Sequence, residues 1–505
     1  MFVFLSFVLG GCSSGPGVKP GITGTPNVAT TNNPQVAQYT ITPSADATVV
    51  VQFGTDTTYG LTTSPQATPP GGGTVTVLVA GMRGFTTYHM RAMVNFSDGT
   101  QLFDKDQVFT TGGLPSNQIP NLTITRPSGL TPQPGIEMLD LVGPPANVLA
   151  VDLSGNVIWF YTFTGSGVDI VQPVKLLPNG HLIVQISPTS SAALNTNPFP
   201  AGTVIAVREI DLAGNTIREI SLDTLNSRLA AAGFNIVGGT LHHDVLPLPN
   251  GHWIVLTNTT KLVGTTNMLG DVLVDLDTNL QPVWVWSTFD HLDVNRHPVN
   301  TPDWTHSNAL LYSPDDGNLL LSMRHQDWII KIDYKNGTGA GDVLWRLGPG
   351  GDFTLQGGTD PTDWFYAQHG PAFTTTQTAG NFSMVVFDNG NGRKFPPTDP
   401  CTTMPTPSCV FSTVPLFQID EVNKTANIIF HDAPLTFSLF GGNAEQLANG
   451  NIEFDECDTS FSPATADVLE VVQELNPRVV WHMNLVGKFA YRAFRQPSLY
   501  PGVQW

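Results

Sequence analysis

Three histidines recur at matching places in this sequence, and their spacing could bring three imidazoles into one site. His243, His306 and His369 each lie eight to eleven residues before a glycine that opens a predicted turn. A neutral imidazole can act as a nucleophile, as a general acid or base, or as a metal ligand. Because only 12 histidines occur in 505 residues, three in register indicate a functional site rather than isolated structural residues.

Two further polar residues could complete this site for an anionic substrate. Arg324 follows the predicted strand after His306, and its planar guanidinium can hold an anion through two parallel hydrogen bonds. Asn308 lies two residues after His306, so the two side chains are expected on the same side of one strand. His242 precedes His243 on its strand and should point to the other face, so it ranks below the three histidines in register.

Aromatic residues flank these positions and leave two interpretations open. They could stack on an aromatic ligand, or they could form the core of the predicted sheets. The residues concerned are Trp304, Trp328, Trp364, Phe365 and Tyr366.

The elements that must position these residues repeat along the chain. One unit is a strand, an aspartate, a turn and a second strand, and its six copies begin at Val151, Ile210, Val274, Ile332, Ile419 and Gln473. A turn that opens a strand precedes five of them. Two hairpins per repeat make a four-stranded blade, and six blades make a β-propeller, so the C-terminal run from Trp481 should supply the missing strands. In two other copies of the repeat, the position equivalent to the three histidines holds Gln172 and Asn443. These residues are also polar, so the repeat predicts a ring of polar side chains where the blades meet.

The fold class predicted for the whole chain is all-β, a six-bladed propeller with a small N-terminal fibronectin-III-like sandwich. Short alternating strands predict the sandwich over 36–113, and the repeats place the propeller at 132–505. Residues 114–131 are Pro-rich and predict a linker, while residues 13–35 are rich in Gly, Pro, Thr and Asn, which is typical of a flexible tether. The segment Asp388–Ser412 is an insertion that lengthens one repeat.

Residues 1–12 are typical of an export signal. The apolar run Met1–Leu9 is too short to span a bilayer, and no other run approaches 18 apolar residues. The string from Leu9 to Cys12 resembles a bacterial lipoprotein cleavage box, in which the cysteine becomes a lipid-bearing N-terminus. An ordinary signal peptide is the alternative. We therefore expect an exported protein, periplasmic or at the cell surface, that contacts a membrane only through lipid on Cys12.

Cysteine usage agrees with export. Cys401 and Cys409 lie in one loop rich in Pro and Thr, and an exported protein is expected to join such a pair as a local disulfide. Cys457 is then left as a buried thiol.

Composition excludes some classes of function. Lys and Arg number 22 against 41 Asp and Glu, a net charge of −19, which disfavours nucleic acid as a partner. The 49 Gly and 40 Pro disfavour a helical bundle. No GxxxxGK[ST] string occurs, so no loop of that kind is available to hold a nucleotide.

Five strings occur in order between Leu241 and Arg393 and resemble bacterial arylsulfotransferases. They are LHHDVLPLPNGHWIVL, DWTHSNALLYSPDDGNLLLSMRHQDWIIKID, DVLWRLG, FYAQHG and VVFDNGNGR. The resemblance implies a six-bladed propeller enzyme that moves a sulfuryl group from an aryl sulfate to a phenol without the nucleotide donor PAPS. It also implies a ping-pong cycle through a sulfohistidine, with no cofactor and no metal.

The resemblance implies a role for each candidate residue. His369, in the Gln-His-Gly motif, matches the histidine that is sulfurylated. His306 and Asn308 match the pair that binds the sulfuryl oxygens. Arg324 matches the sulfate-binding arginine, and His243 matches the remaining active-site histidine.

Two other function classes stay open at this point. A metal-dependent propeller hydrolase or lactonase could use the three histidines, with Asp244, Asp303 or Asp388 completing the site, although Arg324 would repel a metal ion. A non-catalytic surface-binding propeller would lack an intact nucleophile. The physiological donor and acceptor do not follow from the sequence. Nor does the oligomeric state, with a homodimer as one alternative.

Overall fold

The structure is a computed structural model, and it divides the chain into two compact units. It describes residues 19–127, 129–163, 165, 170–188, 202–378, 380–403 and 409–505. The first unit runs to Thr31 and includes Ala37–Val79 and Phe85–Thr111, and the second comprises Asn32–Val36, Ala80–Gly84 and Gly112–Trp505. Cys12 and the predicted export signal lie outside the described residues.

The first unit consists of strands in two sheets. Its strands are β1 (Ile22–Thr30), β2 (Ala37–Pro43), β3 (Ala47–Gly54), β4 (Leu61–Thr62), β5 (Gln66–Ala67), β6 (Val75–Val79), β7 (Thr87–Phe96), β8 (Gln101–Phe103) and β9 (Gln107–Thr110). One sheet has the order β1-β2-β6; the other has the order β4-β3-β7-β8, with β5 beside β3 and β9 beside β7. Buried residues alternate with more exposed ones along β2 and β7, as expected when one face of a sheet covers a core.

The tether predicted over residues 13–35 is wrong for part of its length. Residues Ile22–Thr30 form β1, which pairs antiparallel with β2 from Ile22↔Pro43 to Thr30↔Ala37. A composition rich in Gly and Pro hid this strand, because its backbone hydrogen bonds depend on a partner strand and not on its own side chains.

The second unit consists of longer strands in four- to eight-stranded sheets. Its strands are β10 (Asn121–Thr125), β11 (Ile136–Val142), β12 (Ala146–Asp152), β13 (Val157–Phe163), β14 (Ile170–Leu176), β15 (Leu182–Ser187), β16 (Ala206–Ile210), β17 (Thr216–Ser221), β18 (Leu241–Pro247), β19 (Trp253–Val263), β20 (Thr266–Leu276), β21 (Pro282–Ser287), β22 (Ser307–Ser313), β23 (Asn318–Met323), β24 (Trp328–Ile332), β25 (Val343–Leu347), β26 (Thr354–Gln356), β27 (His369–Thr378), β28 (Asn381–Phe387), β29 (Ser412–Asp420), β30 (Thr425–Leu435), β31 (Asn443–Gln446), β32 (Ile452–Phe461), β33 (Ala464–Val471), β34 (Val479–Val486) and β35 (Phe489–Gln496).

These strands form antiparallel groups of four in chain order. The groups β14–β17, β18–β21, β22–β25, β27–β30 and β31–β34 each pair consecutively. In each group the strand that comes first in sequence also contacts the first strand of the next group.

The two ends of this unit are joined by strand pairing. The last strand, β35, pairs with β11 from Ile136↔Gln496 to Val142↔Phe489, and β34 pairs with β10. The C-terminal run from Trp481 therefore supplies strands that pair with the N-terminal ones, as the sequence predicts. With β11, β12 and β13, β35 makes the sixth four-stranded group among the described residues.

The buried core lies between successive sheets. Five hydrophobic clusters of the described residues each draw side chains from two neighbouring groups. Ile183 in β15 and Val255 in β19, for example, belong to the same cluster.

Helices are short and few in the part of the chain that the structure describes. The α-helices are Leu222–Ala231, Thr288–His291 and Pro400–Thr403, and the 3-10 turns are Ser116–Gln118, Arg324–Gln326 and Lys335–Gly337. Ser221 caps Leu222–Ala231 by accepting from the backbone N–H of Thr224. None of these helices is long and apolar enough to cross a bilayer.

The predicted disulfide is confirmed. Cys401 and Cys409 are bonded, and Cys457 is a free, buried thiol among the described cysteines.

Candidate active site

The three histidines predicted to share a site each lie where the first strand of a sheet begins. His243 is in β18, His306 directly precedes β22, and His369 is the first residue of β27. The ring centroids of His243 and His306 are 4.8 Å apart. His369 lies close enough to His306 for the two rings to influence each other electrostatically. The tertiary structure thus brings the three imidazoles together.

The backbone is irregular at these histidines, so their side chains do not point in the directions that a regular strand would give them. His243 and His306 have φ angles of 59° and 46°, in the left-handed region that non-glycine residues rarely occupy. The strand register shifts beside each of the three histidines, as it does at a β-bulge. Gly370, after His369, has φ 44°, and a Cβ there would lie 2.3 Å from the Asn443 Cβ. Such strain is common at functional sites, where it aims particular side chains.

Asn389 fixes the tautomer of His369. The Asn389 amide nitrogen donates to the carbonyl oxygens of Ser438 and Gly441, at 2.9 and 3.1 Å. Its oxygen, Oδ1, is therefore the atom 2.7 Å from His369 Nδ1, and it must accept a proton from that nitrogen. The lone pair of the neutral ring then lies on Nε2, where it accepts a long hydrogen bond of 3.4 Å from the backbone N–H of Gly441.

His369 is held in its neutral form by its surroundings. The ring is buried, with 1 % of its surface exposed, and burial lowers its pKa well below the ordinary value; the charge of Arg324 lowers the pKa further. A neutral imidazole with a defined lone pair is the form that can attack an electrophile.

Arg324 lies beside this ring, and not all of its N–H groups are hydrogen-bonded to described residues. One Nη donates to the carbonyl oxygen of Leu439 at 2.9 Å, and the other lies 3.0 Å from His325 Nε2. The buried Nε–H has no hydrogen-bond partner among the described residues. Because the guanidinium is a cation, these unused donors favour an anionic ligand.

Asp303 holds two imidazoles around this arginine. Its carboxylate bonds Nδ1 of His306, and its backbone carbonyl lies 2.6 Å from Nδ1 of His325. Burial alone would raise the pKa of Asp303, but the contacts with His306 lower it to about 2. Burial lowers the pKa of His325 to about 4, so this ring is neutral and its Nε2 can accept from Arg324.

Asn308 is fully buried and joins two strands of the site. Its amide nitrogen donates to the backbone carbonyl of Gln368 at 2.7 Å, which ties β22 to the residue before His369. Its oxygen has no partner among the described residues. The contact with sulfuryl oxygens implied by the resemblance stays a prediction.

The comparison with protein families decides the identity of the chain. The profile described as Arylsulfotransferase (ASST) matches residues 138–492, which is most of the second unit. The chain belongs to the arylsulfotransferase family. The resemblance found in the sequence motifs is thereby confirmed, and membership of the family indicates a sulfuryl-transferring enzyme. No curated protein matches the chain.

Solved structures resemble this arylsulfotransferase only distantly. A rhamnogalacturonan lyase of Bacillus licheniformis is 10 % identical, with a TM-score of 0.28 over 92 % of this chain and 75 % of the lyase. An alpha-L-arabinanase of Penicillium chrysogenum is 12 % identical, with a TM-score of 0.32 over 70 % and 98 %. An apocarotenoid oxygenase of Synechocystis is 10 % identical, with a TM-score of 0.33 over 96 % and 97 %. At these scores none of them carries an argument about this arylsulfotransferase.

Several residues of the site were not singled out from the sequence, among them Asn389, His325, Tyr491 and Arg492. The Tyr491 ring lies 6.0 Å from those of His243 and His369, and its buried hydroxyl has no partner among the described residues. Arg492 donates to the backbone carbonyl of Asn308. Tyr491 and Arg492 both lie in β35. Because the C-terminal run was expected to pair with the first strands of the propeller, these residues could have been assigned to the strand position that the histidines occupy in other repeats.

The metal-site alternative fits the arrangement poorly. Among the described residues, the group whose ligand atoms come close enough for an ion is Asp303, His306 and His325, and not the three histidines in register. Arg324 holds the Nε2 of His325 at 3.0 Å, and Asp303 holds the Nδ1 of His306. A guanidinium directed at a ligand nitrogen opposes a cation there.

The other two carboxylates considered as ligands are engaged elsewhere. Asp244 lies 2.5 Å from the Lys175 ammonium and accepts from the backbone N–H of Leu310. Asp388 forms a buried ion pair with Arg393.

The aromatic residues flanking the site are core residues. All five are buried, and most of them pack in the clusters between neighbouring sheets. The members are Trp304, Trp328, Trp364, Phe365 and Tyr366.

Proposed function

We propose that the enzyme transfers a sulfuryl group from an aryl sulfate to a phenol by a ping-pong cycle, with His369 as the nucleophile. The observation that carries this proposal is the Asn389–His369 hydrogen bond at 2.7 Å, because it leaves the lone pair of a buried, neutral imidazole on Nε2. Arg324 beside that ring supplies the charge that an anionic ester needs.

In the first half-reaction, Nε2 of His369 attacks the sulfur of the aryl sulfate. The new N–S bond forms as the S–O bond to the aryl group breaks, and the bonding electrons leave with the phenolate. In the second half-reaction, the oxygen of a phenol attacks the same sulfur. The N–S bond breaks, its electron pair returns to Nε2, and the phenolic proton passes to a base of the site.

The transition states are stabilised by groups around Nε2. Negative charge on the sulfuryl oxygens meets the guanidinium of Arg324. His306, whose Nδ1–H faces the Asp303 carboxylate, can donate to the same oxygens from Nε2 only as an imidazolium. The backbone N–H of Gly441, 3.4 Å from Nε2, is positioned to donate to an oxygen of a sulfuryl group bound there. Tyr491, whose hydroxyl is otherwise unsatisfied among the described residues, can donate to the same group.

The fold we propose for the second unit is a six-bladed β-propeller. Three observations support it: consecutive groups of four strands, core clusters shared by neighbouring groups, and pairing of the last strand with the first ones. For the first unit we propose a fibronectin-III-like sandwich, supported by its two antiparallel sheets.

A trapping experiment tests the nucleophile. Given an aryl sulfate and no phenol, the enzyme should gain one SO3 group on the peptide containing His369, and the adduct should be acid-labile because a protonated ring is a better leaving group. His369→Ala should abolish both the adduct and turnover. An active His369→Ala enzyme, or an adduct on His243 or His306, would overturn the assignment.

Two comparisons complete the test. Arg324→Ala should slow the transfer while His369 still forms some adduct, because Arg324 stabilises charge and forms no bond to sulfur. EDTA should leave the rate unchanged. The metal-dependent alternative instead predicts that EDTA abolishes activity and that added metal restores it.

A further inference from the structure

The imidazole of His242 lies against that of His243, although the two residues are adjacent in one strand. In regular strand geometry neighbouring side chains point to opposite faces. Here His243 has φ 59°, and the register of β18 shifts between Leu241 and Val245. The Nδ1 atoms of the two rings are consequently 2.8 Å apart, and both rings are buried. The expectation that His242 points away from the site is wrong for this reason.

A buried carboxylate lies behind His242. Asp271 Oδ1 is 3.3 Å from His242 Nε2, which is an ion-pair distance without the geometry of a hydrogen bond, and Asp271 is 2 % exposed. Its other oxygen accepts from the Thr305 hydroxyl and from the backbone N–H of Ser307, both at 2.6 Å. Burial alone would raise the pKa of Asp271, but its contact with His242 lowers it below the ordinary value, so the carboxylate is ionised.

The order of these groups fixes where the protons lie. An ionised carboxylate only accepts, so the His242 nitrogen facing it, Nε2, carries a proton. In the tautomer with that proton on Nε2, Nδ1 of His242 accepts, and the donor in the 2.8 Å contact is Nδ1 of His243. The lone pair of His243 therefore lies on Nε2. That ring is next to His306, at 4.8 Å between centroids, and to Tyr491, at 6.0 Å.

We propose that Asp271, His242 and His243 form a proton relay that activates the phenolic acceptor. This inference rests on the proposed function, since it concerns the second half-reaction of that cycle. His243 Nε2 takes the O–H proton as the phenol oxygen attacks the sulfur on His369, and the N–S bond breaks. The resulting imidazolium donates through Nδ1 to His242, whose own N–H faces the Asp271 carboxylate. The proton then passes to solvent or to the next departing phenolate.

Within this relay, His243 is the catalytic residue, and His242 and Asp271 are positioning residues. They keep the lone pair of His243 on Nε2. Burial, together with the nearby His306 and His242, lowers the pKa of His243 well below its ordinary value, so a proton taken by His243 must be passed on through Nδ1 and is not held there. The device resembles a carboxylate that orients a catalytic imidazole, with one additional imidazole between them.

The test separates the two half-reactions. With 4-nitrophenyl sulfate, the burst of nitrophenolate reports the first half-reaction, which needs no proton because nitrophenolate leaves unprotonated. Discharge of the trapped adduct to phenols of graded acidity then reports the second. His242→Phe should leave the burst amplitude within about twofold of wild type and slow discharge to unactivated phenol by about tenfold or more. The defect should shrink for acidic phenols, which arrive as phenolates.

Asp271→Asn should repeat this pattern, and His252→Phe is the matched control. His252 makes an equivalent contact, 2.9 Å from its Nδ1 to Asp275, but outside the site, so neither half-reaction should change. The relay is wrong if His242→Phe lowers burst and discharge equally, or leaves discharge to unactivated phenol unchanged. Absence of any burst in the wild-type enzyme would instead contradict the proposed function. If Asp271→Asn does not fold, His242→Phe decides alone, with the burst amplitude reporting folded enzyme.

Discussion

Asn389 decides which nitrogen of His369 can react, so the first prediction concerns this residue. Asn389→Ala removes the acceptor at Nδ1, and the proton can then move to Nε2, which blocks attack. Loss of such a buried hydrogen bond is expected to cost about 1–3 kcal/mol, which corresponds to a loss of about fivefold to somewhat over a hundredfold in the burst rate. Asn484→Ala, which removes a 2.8 Å amide contact to Asp467, should leave the burst rate unchanged. Equal rates in the two variants would contradict the role of Asn389.

The pH dependence of the burst follows from the environment of His369. Only the neutral ring attacks, and burial together with Arg324 places its pKa well below the ordinary 6.5. The burst rate should therefore stay level as pH falls through 6.5 and decline only at more acidic pH, where the folded enzyme finally protonates the ring. A stopped-flow profile with half-maximal rate at or above 6.5 would show that His369 is not held neutral in this way.

At the scale of elements, Arg495 holds the closing strand. It lies in β35 and pairs with Glu137 in β11, Glu453 in β32 and Glu470 in β33, and all four side chains are buried. Arg495→Met would leave three carboxylates buried without their cation, a change that typically costs about 3–5 kcal/mol. Urea unfolding should show this loss of stability.

The stability that Arg495→Met loses should depend on pH in a defined direction. Burial already raises the pKa of Glu453 well above its ordinary value, and removal of Arg495 should raise it further. The folded state would then bind protons that the unfolded state releases, so the stability deficit should grow as pH rises and shrink as pH falls. Arg478→Met breaks an exposed pair with Glu474, 2.9 Å long, and should change stability little at any pH.

At the scale of the whole molecule, we propose that the enzyme is exported and is anchored to a membrane through lipid on Cys12. Cys12 lies outside the described residues, and the prediction depends on the sequence from Leu9 to Cys12. Cys12→Ser should move the enzyme from the membrane fraction to the soluble fraction, because stable anchoring requires the acyl chains. The double variant Cys401→Ser and Cys409→Ser should stay in the membrane fraction. Retention of Cys12→Ser in membranes would place the anchor elsewhere.

Periodicity made much of the fold and several site residues predictable. Turns and alternating apolar residues recur in each repeat, because each group of strands buries one face of its sheet. The four-stranded groups could therefore be counted from the sequence. The phase of the repeat selected His243, His306 and His369, because equivalent positions of equivalent strands meet at one end. The Cys401–Cys409 pair was local enough in sequence to be assigned as well.

The sequence by itself therefore determined the repeat, the family and the three histidines. The tertiary structure decided which residues contact each histidine and which of its nitrogens carries a proton. Asn389, Asp271 and Tyr491 lie on other strands or at their ends, and no pattern in the sequence assigned any of them to a contact with a particular histidine. A positive φ at His243 reversed the face expected for His242, because alternation along a strand fails at a bulge. Proton positions depend on such contacts between distant segments, so only the folded chain could assign them.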